Sequence, residues 1–250
     1  MKLLTCFASI LIASSLSSIA QGFINLGFEN TTITTVSFPG GNRYTATIPG
    51  WQWNTFNFLN GDPNSVALND LALDAPATTL HGLNSPFFPA IRGSYSVLLQ
   101  GGSTSGGMVY GTNGASIFQT GQVPPGSQSL LYSGGSLLQV SFAGQLLTPI
   151  ALSHAASYTV WGVDISAYAG QSGELRFTKP WRNTSFSEGA ILDDIRFSPT
   201  AVPEPSVWAL CGVFILCLVA LRKRPNAQDS IQRSVPWMKS MSEALVARRK

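Results

Sequence analysis

Between residues 21 and 201 the apolar residues fall in short runs, separated by glycine, proline, serine and asparagine, and no long amphipathic helical pattern interrupts them. Residues 94–100, 129–132, 137–142, 158–163, 173–178 and 190–197 each read as strands, and Ile24, Leu26 and Phe28 alternate with Asn25 and Gly27 in the same way. The turns come from VPPGSQS at 123–129, SGGS at 133–136 and GGSTSGG at 101–107, the last read as a flexible surface connection. Residues 31–50 begin with a hairpin or an edge strand. Many short strands and no internal repeat predict an all-β fold, a single antiparallel jelly-roll-like sandwich.

This sandwich must hold together without disulfides, because Cys6, Cys211 and Cys217 all lie outside it. A stretch of about 180 residues buries enough surface to do so. The same absence removes thiolate metal sites and cysteine nucleophiles from its chemistry. Charge is divided unevenly: residues 21–201 carry nine acidic and six basic side chains, whereas residues beyond Leu221 carry eight basic and two acidic ones. The net charge of +3 therefore belongs to the ends, and no basic stripe points to nucleic acid.

Both ends read as targeting segments. Lys2, the apolar run 3–12 and the small polar residues up to Ala20 predict a signal peptide over 1–20, cut after Ala20. Residues 207–221 contain no charge and no proline, follow Pro203, Glu204 and Pro205, and stop against Arg222, Lys223 and Arg224. At about 1.5 Å per residue this run makes roughly 22 Å of helix against a hydrocarbon core of about 30 Å, a marginal transmembrane helix unless flanking residues carry its ends. The basic tail beyond it fits the cytoplasmic side.

The order of these parts resembles the PEP-CTERM sorting signal of exopolysaccharide-producing Gram-negative bacteria. The resemblance implies export by the general secretory machinery, retention by the C-terminal span, and processing by an exosortase-like membrane enzyme that reads Pro203, Glu204 and Pro205. Arg222, Lys223 and Arg224 are then the membrane stop. One departure is that 26 residues follow the basic triplet, where members of the family end close to it. The expected organisation is a signal peptide (1–20), a β-sandwich ectodomain (21–200), a sorting and anchor segment (201–224) and a basic cytoplasmic tail (225–250). The expected location is the inner membrane with the ectodomain in the periplasm, and the cell surface or extracellular matrix after processing.

A second resemblance lies inside the sandwich. Asp164-Ile165-Ser166-Ala167-Tyr168-Ala169-Gly170, the alternating strand after it, and Ile191-Leu192-Asp193-Asp194-Ile195-Arg196-Phe197 resemble the closing strands of galactose-binding-like jelly rolls, and Asn25-Leu26-Gly27-Phe28-Glu29 their first strand. Such modules serve as carbohydrate binders, enzyme accessory domains and adhesive domains. Period-two geometry turns Asp193 and Asp194 to opposite faces. One of them, with Glu29 and backbone carbonyls, matches the hard oxygen shell of a structural calcium ion, with Glu29 and Asp193 ahead of Asp194. The alternative is a pair of solvated or capping aspartates. Asp164 reads as the cap of a local turn.

His81 and His154 are the only histidines, and neither belongs to an HxH or HExxH pattern. There is no GxSxG, phosphate loop or dinucleotide fingerprint. The chain is accordingly read as not an enzyme, with a secreted polysaccharide-acting hydrolase as the alternative. Trp51-Gln52-Trp53, if extended, turns both indoles to one face, where they stack on sugar rings while Gln52 or Asn54 bonds the hydroxyls. The competing reading makes both indoles core. The expected function is an exported, membrane-anchored or exosortase-processed envelope or matrix protein, with a structural module or one that binds envelope or secreted polysaccharide.

Overall fold

The computed structural model describes residues 22–39, 41–55, 57–72, 74–105, 108–109, 112–136, 138–184, 187–203 and Cys217. The chain divides into two units, Met1–Val202 and Pro203–Lys250. In chain order the first unit contains β1 (Thr32–Phe38), β2 (Gly41–Thr47), β3 (Gln52–Trp53), β4 (Val66–Leu68), β5 (Ala77–Gly82), β6 (Tyr95–Gln100), β7 (Thr104–Ser105) and β8 (Met108–Val109). Then follow β9 (Ala115–Gln122), β10 (Ser129–Gly134), β11 (Gln139–Phe142), β12 (Gln145–Leu147), β13 (Ile150–His154), β14 (Thr159–Asp164), β15 (Ser172–Lys179) and β16 (Gly189–Ser198). A 3-10 turn, Ser166–Tyr168, links β14 to β15.

These strands form two main sheets. One has nine strands in the order β1-β2-β4-β5-β6-β16-β10-β14-β13, the other five in the order β12-β11-β15-β9-β3. Among the named strands all pairings are antiparallel except β4 with β5, and an isolated bridge between Gly22 and Gln122 is also parallel, which corrects the expectation of an antiparallel sandwich. Alternation fills the space between the sheets: Leu175 and Phe177 on β15, Ile117 on β9, and Val140 and Phe142 on β11 turn inward. They meet Leu99, Leu130, Tyr132 and Leu192 of the larger sheet in one core. Tyr132 and Phe177 pack edge to face across it, with centroids 5.2 Å apart.

Three expectations about this unit change. Residues 24–28 are not a strand: Asn25 and Phe28 adopt left-handed φ of 52° and 61°, and a turn closes from Phe28 N–H to the Asn25 carbonyl at 3.1 Å. That turn sends the Phe28 ring into the core, and the Asn25 side chain accepts from Asn30 N–H at 2.9 Å. Residues 101–103 are buried rather than a surface connection, with Ser103 donating to Asp74 at 3.0 Å. In β16 a bulge opposite β10 pairs Leu131 with Arg196 but Ser133 with Asp193, and Asp194 takes φ 50°.

No helix among the described residues is long and apolar enough to cross a membrane. The expected span at 207–221 lies outside the described residues apart from Cys217, as do Glu204, Pro205, Arg222, Lys223 and Arg224; Pro203 is exposed. The fold class is thus corrected to an all-β two-sheet sandwich, with no membrane-spanning helix among the described residues. The expected membrane anchor and inner-membrane location find no support among the described residues. As a helix the 207–221 run would reach only about three quarters of the hydrocarbon thickness.

Candidate functional site

The site that the fold assembles lies where β3 joins the edge of the five-stranded sheet. A tight turn brings the chain there: Trp51 N–H donates to the Ile48 carbonyl at 3.2 Å, and Gly50 takes φ +84°. A side chain at Gly50 would also run into Ile24 and the Gln119 amide, so glycine is needed twice over. Beside this turn opens a cleft of about 430 Å³. Pro49, Trp53, Pro63 and Phe118 give it apolar walls, and Thr47, Gln52 and Asn64 put one hydroxyl and two amides among them. None of the described residues lining it is charged.

The outer wall of the cleft is held by its own loop. Buried Asn57 donates to Ser65 at 3.1 Å, Gly61 N–H reaches the Asn57 carbonyl at 2.6 Å, and Asp62 accepts from Asn64 N–H at 2.8 Å. The bonds from Asn64 and Ser65 hold the Asp62 carboxyl below its ordinary pKa. Gln52, by contrast, is exposed, and its side chain is free to turn toward a ligand.

Register extends the cleft into a row. On the outer face of the five-stranded sheet Gln52 pairs with Phe118, Phe118 with Arg176, Arg176 with Ser141, and Ser141 with Leu146. The Arg176 guanidinium lies 3.8 Å from the centroid of the Phe118 ring, and Glu174 accepts from its Nε at 2.8 Å and from its terminal nitrogen at 3.2 Å. Such a two-point pair fixes the plane of the guanidinium and cancels its charge.

Of the residues expected to bind sugar, Trp51, Gln52 and Trp53 all border the cleft, but of these only Gln52 is exposed, and Asn54 does different work. Trp51 is 5% exposed, packs tilted against Phe28 with ring centroids 5.4 Å apart and donates its indole N–H to the Asn25 carbonyl at 2.9 Å, so the two indoles form no exposed platform. Trp53 is half-buried against the core, with an edge in the cleft and an indole N–H that meets no partner among the described residues. The Asn54 side chain is spent on β9, accepting from Ser116 N–H at 2.6 Å and donating to the Gly114 carbonyl at 3.2 Å. Phe118, Arg176 and Asn64 were missed because residues 115–122 were not read as a strand, and without β9 the row has no centre.

The expected calcium ligands meet hydrogen-bond donors instead. Glu29 accepts from Ser94 N–H at 2.9 Å and Tyr95 N–H at 3.2 Å; Asp193 accepts from Arg92 N–H at 2.8 Å, the Ser96 hydroxyl at 2.7 Å and Asp194 N–H at 2.6 Å. The two carboxylates therefore tie down one loop, 92–96, from two sides. Burial raises the Asp193 carboxyl above its ordinary pKa, opposed by the bonds from Ser96, Arg92 and Asp194. Asp194 points away and pairs with Arg92 at 3.2 Å and with Arg196. Carboxylates facing N–H and O–H groups do not fit a cation, and no group of three acidic, histidine or cysteine side chains among the described residues is placed to hold one. Asp164 accepts from Ser166 N–H at 2.9 Å, and these contacts lower its pKa.

One buried pair has the look of an activated hydroxyl. Ser85 Oγ lies 2.7 Å from His81 Nδ1, and His81 Nε2 lies 3.0 Å from Thr79 Oγ1. The third member is a hydroxyl rather than a carboxylate, His81 and Thr79 are fully buried, and Ser85 also takes long contacts from Phe87 and Phe88 N–H. The pair fastens the loop carrying Phe87 and Phe88, and the hydrolase alternative has no site among the described residues.

No protein-family profile matches the chain, and no curated protein does. Among solved structures it is similar to the K2 cleaved adhesin domain of Lys-gingipain, at 15% identity and a TM-score of 0.35, over 67% of this chain and 99% of that one. It is also similar to SGBP-B from a complex xyloglucan utilization locus in Bacteroides uniformis, at 11% identity and a TM-score of 0.32, over 68% of this chain and 66% of that one.

Proposed function

We propose that the sandwich is a carbohydrate-binding module that holds a neutral glycan in the cleft between Phe118 and the 63–64 loop. The observation that carries this reading is the lining itself: aromatic and proline walls, two amides, one hydroxyl and no charge. Sugars present apolar C–H faces and a rim of neutral hydroxyls, and amides serve both as donors and as acceptors to such a rim. The backbone at Asn64 is set in place before a ligand arrives by the bonds within its own loop, which leaves only the side chain to be ordered on binding. Calorimetric titration of the purified chain with neutral oligosaccharides tests the proposal. Gln52→Ala and Asn64→Ala should each weaken binding by about 0.5–1.5 kcal/mol, a several-fold rise in Kd, without moving the thermal transition. Unchanged binding in both variants would remove the cleft from consideration.

We also propose that Pro203, Glu204 and Pro205 are read by an exosortase-like processing enzyme after export by the secretory machinery. The motif's order in the sequence supports this, and mass determination of the mature C-terminus tests it.

A further inference from the structure

We infer that the ligand of this site is an extended neutral oligosaccharide lying across the strands, with about three sugar units in contact, rather than a single sugar. The inference rests on the glycan reading of the cleft and adds its length, direction and charge class. Antiparallel registers align Gln52, Phe118, Arg176 and Ser141 in one row across β3, β9, β15 and β11. At the interstrand spacing of about 4.8 Å, three steps span roughly 14 Å, a length suited to about three linked sugars. The row begins in the cleft, because Gln52 and Phe118 belong to both. It does not end in a wall: the next position, Leu146, is 68% exposed.

The middle of the row is built to be flat and neutral. Arg176 is held against the Phe118 ring by stacking and against Glu174 by two hydrogen bonds, so a planar guanidinium becomes part of the surface instead of a mobile charge. Thr120 pairs with Glu174 on the same face, and Ser116 and Thr178 bond each other at 2.8 Å, so three hydroxyls lie beside the row along with the Glu174 carboxylate that neutralises Arg176. Stacking and hydrogen bonding are available along the row, and a site for an anionic polymer would need an uncompensated cation that it does not offer.

The test is a titration of the purified full chain with gluco-, manno-, galacto- and xylo-oligosaccharides, each from one to about six units. In the series that binds, affinity should rise at least about tenfold between one and three units and then level off. Arg176→Ala and Ser141→Trp should each collapse that gain, lowering the ratio of long-chain to single-sugar affinity by about fivefold or more; Ser141→Trp acts by obstruction and leaves the Arg176–Glu174 pair in place. Binding whose affinity does not change with length, or a length gain untouched by both substitutions, overturns the inference while leaving the cleft reading intact. Failure of every series at every length overturns both.

Discussion

Replacing Trp51 by alanine separates a core indole from a sugar-stacking one. Trp51 is 5% exposed, lies against fully buried Phe28 with ring centroids 5.4 Å apart, and spends its N–H on the Asn25 carbonyl. Truncating a buried tryptophan costs about 3–5 kcal/mol in lost transfer and residual cavity. In a sandwich of this size a loss of that order lowers Tm by roughly 10 °C or more, at about 2–4 °C per kcal/mol. The hydrogen bond accounts for about 1 kcal/mol of it, so Trp51→Phe, which keeps a ring against Phe28, should lose far less than Trp51→Ala. Gln52→Ala, on the neighbouring exposed position, should stay within about 0.5 kcal/mol of the parent. Urea unfolding followed by tryptophan fluorescence or circular dichroism measures all three. A Trp51→Ala protein that unfolds within about 1 kcal/mol of the parent yet no longer binds sugar would refute the placement of this indole in the core.

Burial lowers the pKa of His81 to about 4, partly offset by the charge of Asp70. The unfolded chain therefore takes up this proton below about pH 6.5 and the folded chain does not, so about 3 kcal/mol of stability present above that pH is lost as pH falls toward 4. Comparing unfolding free energies at pH 7 and pH 4.5 in the parent and in His81→Gln should show the slope shrinking in the variant; equal slopes would place the acid sensitivity elsewhere. Because N–H and O–H donors already occupy the Glu29 and Asp193 oxygens, a chelator should leave the melting curve unchanged, and a drop restored by calcium would show that these donors give way to an ion. Glycan affinity should change less than about twofold between 0.05 and 0.5 M salt, and a steep decline would indicate an anionic ligand.

How much of this was legible in the sequence differs between strands and site. β15 declares itself because alternation there coincides with burial on one face, as in Glu174, Arg176 and Thr178 against Leu175 and Phe177. β9 hides because Ser116 and Gln119 are polar yet buried, satisfied by Thr178 and by the backbone of Ile24, which blurs the period-two pattern. Residues 24–28 mislead in the opposite direction: their apolar spacing fits a strand, but the Asn25 side chain bonds the backbone of Asn30 and bends the segment into a turn. Trp51-Gln52-Trp53 was correctly spaced for two indoles on one face. Which face is decided by the pairing of Trp53 with Ile117, a contact made over more than sixty positions that local pattern does not reveal. The paired aspartates part as expected, but at a bulge where Asp194 takes a left-handed φ rather than by simple alternation. Their partners, however, come from far along the chain: Asp193 accepts from Arg92 N–H and the Ser96 hydroxyl, and Asp194 pairs with the Arg92 and Arg196 guanidinium groups, which local pattern does not reveal.

The cleft reading is tested most directly by following the side-chain amide resonances of the protein by NMR while a neutral oligosaccharide is added. The account predicts that the Gln52 and Asn64 side-chain NH2 signals shift first and saturate together, with the Trp51 indole N–H moving little because it stays bonded to the Asn25 carbonyl. Saturable shifts confined to another surface, such as the exposed Leu83, Phe87 and Phe88 loop, with Gln52 and Asn64 unmoved, would contradict it.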